Sequence, residues 1–94
     1  MSNTEKNIMV LSRRDPLEAM RIAAGLTIFG HSVRLVFMGG ALSEQEMQSE
    51  HAELLDLAGI EPETTNGQMA ELLDHLKPAA LAAAINESDG VISI

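Results

Sequence analysis

The chain has no cysteine, no tryptophan and no tyrosine in 94 residues, and its aromatics are two phenylalanines, Phe29 and Phe37. Without a thiol, its own side chains offer no disulfide, no zinc–thiolate site and no thiol or persulfide chemistry. That composition suits the cytosol, so a cytoplasmic protein is expected. With two aromatics there is little surface on which bases could stack. Positive charge is also scarce, at six Lys and Arg against 14 Asp and Glu, for a net charge of −8. The deficit sits in one half: residues 1–47 balance, whereas residues 48–94 set nine acids against Lys77 alone. Such a half repels phosphate backbones, so no nucleic-acid partner is expected. Long apolar runs near the start are missing too. Ile8 to Leu11 is followed at once by Ser12-Arg13-Arg14, too short for a signal-peptide core or a membrane span, so no membrane partner is expected.

What the chain does have is 46% apolar residues in a length that suits one domain, residues 1–94. A chain this short buries only about 60–65% of its unfolded surface, which leaves a thin stability margin. Its helical stretches are apolar on more than one side, and such helices need a second cover. Association with a second copy or another subunit is therefore expected.

Three apolar runs read as strands: Asn7–Leu11, Val33–Met38 and the stretch Asp89–Ile94. The first, with Ile, Met, Val and Leu in succession and no polar alternation, suits a strand buried on both faces, and the alternation of strands with helices is that of a parallel sheet. Between the first two lies a helix, with Asp15 as cap, Pro16 at the first helical position and Glu18 three residues past the cap. Leu17, Met20, Ala24, Thr27 and Ile28 form its expected sheet-facing stripe, and Gly30 stops it. Ser43 and Glu46 fit a reciprocal capping box for a second helix, flanked by Leu42 and Met47 and ending at Gly59. That helix should turn Met47, Leu54, Leu55 and Ala58 inward. The stretch Ile60–Gly67 should hold a third strand, expected as a very short edge strand or an extended loop because of Pro62. A further helix is expected with Thr65 and Gln68 at its start and Met69, Leu72, Leu73 and Leu76 as its stripe. Pro78 then opens the Ala-rich helix before the last strand. The expected fold is a three-layer α/β/α sandwich around a small, mainly parallel sheet of four to five strands.

This pattern resembles the DsrE/DsrF-like family of sulfur-relay domains. The resemblance is carried by the helix AMRIAAGLTIFGH, the strand SVRLVFM, the following GGAL, and the final ALAAAINESDGVISI. Residues Glu61–Glu71 depart from it. The resemblance implies a parallel sheet between helical layers and assembly into homo- or hetero-oligomers. Sulfur-carrying members hold a persulfide on a cysteine in the loop after the third strand. Here that loop is Pro62-Glu63-Thr64-Thr65-Asn66-Gly67, and neither threonine nor asparagine can take the thiolate's part. The resemblance thus implies a member that works by binding and assembly, beside a DsrE-like partner or with copies of itself.

In a parallel sheet, ligand chemistry gathers at the carboxyl ends of the strands. At that edge stand Ser12, Arg13 and Arg14 after the first strand and Gly39 and Gly40 after the second. The positive end of the helix near Asp15 points there, and two guanidinium groups add charge-assisted bonds, so a small anion is the expected ligand. The arginines could equally pair with Asp15, Glu18 or the acidic second half. Thr64, Thr65 and Asn66 are further ligand candidates, with helix capping as the competing role of Thr65. Ile22, Leu26 and Phe29 on the first helix, and Ala79, Ala82 and Ala83 on the last, are the candidate subunit contacts. No metal-ligand spacing, cofactor fingerprint or nucleophile motif occurs, so no catalytic residue, metal or cofactor is assigned.

Overall fold

A computed structural model describes residues 6–39, 42–66 and 73–94. Within them the strands are β1 (Asn7–Ser12), β2 (Ser32–Phe37), β3 (Glu63–Thr64), β4 (Asp74–His75) and β5 (Gly90–Ser93). The helices are α1 (Pro16–Ile28), α2 (Glu44–Met47), α3 (Glu50–Ala58) and α4 (Pro78–Glu87). The strands form one sheet in the order β4-β3-β2-β1-β5, and every neighbouring pair is parallel. This is the small parallel α/β sheet that the uninterrupted apolar runs foretold.

Alternation along β1 and β2 divides the core between the two faces. Val10, Leu35 and Phe37 face α1 and α3, where they meet Ala19, Met20, Ala23 and Leu55. Met9, Leu11 and Val36 face the other way and pack with Leu76 and Ala84, under α4. Met9, Val10, Leu35 and Val36 are fully buried, as strands covered on both faces require, while Arg34 in β2 is exposed.

The start of α1 is the one its residues foretold. The Asp15 carboxylate accepts the Glu18 N–H at 3.1 Å, and Pro16 occupies the first turn. Gly30 follows the helix with φ of 93°, a conformation that favours glycine. The inward face is narrower than expected. Ala19, Met20, Ala23 and Ala24 are buried, whereas Ile28 is 77% exposed. At 3.6 residues per turn, Ile28 lies about 110° from the centre of that small-residue stripe.

The capping box is present, with Ser43 Oγ accepting the Glu46 N–H and Glu46 Oε1 accepting the Ser43 N–H. The single helix expected beyond it is instead two, because Ser49 caps afresh and accepts the Ala52 N–H at 3.3 Å. Leu55 is buried as expected, while Leu54 is 40% exposed.

The third strand forms, but not at an edge: β4 pairs with its outer side. Arg34 holds its other side to β2 through two hydrogen bonds with the Glu63 carboxylate, at 3.0 and 2.8 Å. That bond raises the guanidinium pKa, against the opposing effect of burial. The helix expected through Leu76 is overturned at its end, where Asp74–His75 is strand; its earlier positions, residues 67–72, lie outside the described residues. Among the described residues, no helix is long and apolar enough to cross a membrane.

Candidate functional site

Parallel pairing brings three strand ends to one edge. Ser12 stands opposite Phe37 in the β1–β2 register, and the Met38 N–H donates to the Ser12 carbonyl at 2.8 Å. Beyond them Gly39 passes close to the turn after β1: a Cβ on Gly39 would lie 3.2 Å from the Arg13 carbonyl oxygen. A side chain here would require the Arg13 main chain to give by a few tenths of an ångström. On the other side, the Ile94 carbonyl oxygen accepts the Arg13 and Arg14 N–H groups at 2.7 and 3.0 Å. The turn carrying both arginines is thus tied to the stretch after β5.

The ends of β1 and β2 border a hollow of about 200 Å³, lined by Ser12, Arg13, Arg14, Phe37, Gly39 and Leu42, with Pro16 and Glu46 completing the rim. Ser12 is only 3% exposed, and its hydroxyl takes no hydrogen-bond partner among the described residues. No fully enclosed side-chain N or O among those residues lacks a partner. The Ser12 hydroxyl therefore meets the open space of the hollow, where it is free to donate.

Arg13 and Arg14 are exposed, and among the described residues neither enters an ion pair. Their sequence neighbours are otherwise engaged. The Asp15 carboxylate caps α1, and Glu18 pairs with Arg21 along the same helix. Glu46, the acid on the rim, gives Oε1 to the Ser43 N–H at 2.9 Å. Arg13 and Arg14 thus line the hollow, and also a separate opening beside Ser93 and Ile94, and among the described residues no side-chain carboxylate pairs with either.

The expected contribution from main-chain amides is largely spent. Ile94 takes the Arg13 and Arg14 N–H groups, Asp15 takes that of Glu18, and Pro16 has none. The positive character of this edge rests on side chains. An anion here would meet two five-donor forks and one hydroxyl. No imidazole or carboxylate among the described residues is bonded to the Ser12 hydroxyl.

The structure brings together Ser12, Arg13, Arg14 and Gly39; Gly40 lies outside the described residues. Thr64, Thr65 and Asn66 stand apart from the hollow and knit β3 to β2. Thr64, 1% exposed, donates from Oγ1 to the Phe37 carbonyl at 3.2 Å and accepts the Asn66 N–H at 3.0 Å. The Thr65 N–H donates to the same carbonyl at 3.1 Å. Phe37 and Leu42 were missed as site residues, since each reads as core from sequence. The signal that finds them is register: the last apolar residue of β2 must face the first polar residue after β1's apolar run.

The candidate subunit contacts divide. Leu26 packs against the core and Ile22 is half-buried, whereas Phe29 is 82% exposed. Ala79, Ala82 and Ala83 are exposed on the outer side of α4. Among the described residues, no group of three or more His, Asp or Glu converges as a metal site would require. No family model, no curated protein and no solved structure matches the chain.

Proposed function

We infer that the protein works by binding, and that its ligand is a small anion held at the carboxyl edge of the sheet by Ser12, Arg13 and Arg14. One observation carries this reading: buried Ser12, whose hydroxyl has no partner among the described residues, lines a hollow together with two arginines that enter no ion pair among those residues. Arginine's planar fork suits carboxylate and phosphate oxygens, and a hydroxyl beside it adds a neutral donor. The protein is read as a cytoplasmic, DsrE-like chain without the persulfide cysteine.

The test is a thermal-shift panel of inorganic phosphate, sulfate and simple carboxylates at low ionic strength. At tenfold excess over Kd, binding adds about 1.4 kcal/mol to stability, and about 4–8 °C in Tm accompanies each kcal/mol in a domain of this size. Replacing Arg13 and Arg14 together with Ala should abolish the shift without lowering the ligand-free Tm. A flat panel with the wild-type chain contradicts the reading.

A second reading is assembly through the helical surface, with a copy of itself or a DsrE-like partner. Its support is the end of α1, where Ile28 and Phe29 are 77% and 82% exposed. Large apolar side chains clustered in the open favour a covering surface. Sedimentation velocity at micromolar concentration should show an oligomer that Phe29→Asp converts to monomer; a wild-type chain that is already monomeric removes homo-oligomerisation.

A further inference from the structure

We propose that the anion bound at this site carries an uncharged apolar tail, as a short-chain fatty carboxylate does, and that the tail lies between α1 and α3. The proposal rests on the anion-binding reading above and goes further, to the class of ligand. A second hollow, of about 160 Å³, adjoins the first and shares Phe37 and Leu42 with it. Met20, Met47, Ala52, Leu55, Pro62 and Leu73 line the rest of its apolar wall among the described residues.

The two hollows differ in chemistry. Arg13, Arg14 and Ser12 line the first; among the described residues the second is lined by no cation and by one acid, Asp56. A ligand with a negative charge at both ends would bring its second charge toward Asp56. A ligand with charge at one end only meets donors at the head and hydrocarbon along the body. At about 30 Å³ for each water-sized group, the second hollow takes roughly five such groups. That corresponds to a tail of about four to six carbons. Met20 and Met47 are unbranched and polarizable, and they adapt to a tail of this kind better than rigid side chains would.

The experiment measures the affinity of the full chain for acetate, butyrate and hexanoate at matched ionic strength, with inorganic phosphate as a head group without a tail. Affinity should rise about fourfold for each methylene that enters the hollow. Ala52→Leu, which adds bulk to the wall of the second hollow, should flatten the series while acetate and phosphate bind as before. A ligand-free melt of that variant establishes that it folds, and the wild-type series stands without it. Equal affinity for acetate and hexanoate overturns the tail and leaves the anion site standing. Failure of all four ligands overturns both. Hexanoate binding that persists undiminished after Arg13 and Arg14 are replaced with Ala overturns the link between head and tail.

Discussion

Ser12 is the residue on which the site turns. It ends a run of apolar side chains in β1, it is buried, and its hydroxyl has no partner among the described residues. A hydroxyl kept for stability would be bonded within the protein. Ser12→Ala should therefore leave the unfolding free energy undiminished and weaken phosphate binding about tenfold or more, the worth of a hydrogen bond to a charged group. Denaturant unfolding and calorimetry on the same preparation check the two halves of that expectation. A loss of stability with unchanged binding would make Ser12 a structural residue. Ser12, Arg13, Arg14 and Gly39 were legible because they lie next to strand ends in sequence. The engagement of nearby groups was not. Nothing local says that Ile94, some 80 positions away, occupies the Arg13 and Arg14 amides, or that Thr64 spends its hydroxyl on Phe37.

At the scale of elements, strength of signal followed the number of independent cues. The helix α1 has a cap, a proline, an apolar stripe and a terminal glycine, and its bounds agree with all four. Its inward face was harder to place, because alanines mark the closest approach to the sheet and larger residues such as Ile28 are left outside it. The site depends on that close approach: Met20 anchors α1 over Phe37 and walls the second hollow. Met20→Ala should cost about 2–5 kcal/mol, as a large-to-small change at a position 1% exposed. Urea unfolding measures it, and a loss below 1 kcal/mol would show that α1 is less firmly seated than its burial indicates. The strands β3 and β4, of two residues each, carry almost no period-two signal. The place of β3 comes from pairing with β2 and from the Arg34–Glu63 contact, both long-range in sequence, and that of β4 from pairing with β3.

Across the whole molecule, charge and hydrophobicity are segregated. In sequence the negative charge is concentrated in residues 48–94 while the arginine turn lies in the balanced first half, and on the proposed reading an approaching anion is drawn to that turn. Without a cysteine that edge has no thiol chemistry, and the groups proposed to recognise the anion there are Ser12, Arg13 and Arg14. Because the contacts are ionic and exposed, affinity should fall as salt rises. The measurement closest to the central claim is an amide NMR titration of the labelled chain with inorganic phosphate at low ionic strength. Saturable shifts should concentrate at Ser12, Arg13, Arg14 and Gly39 and vanish when both arginines are Ala. Shifts that are absent, or that gather at Thr64 to Asn66 with the strand-end turn silent, would contradict the account.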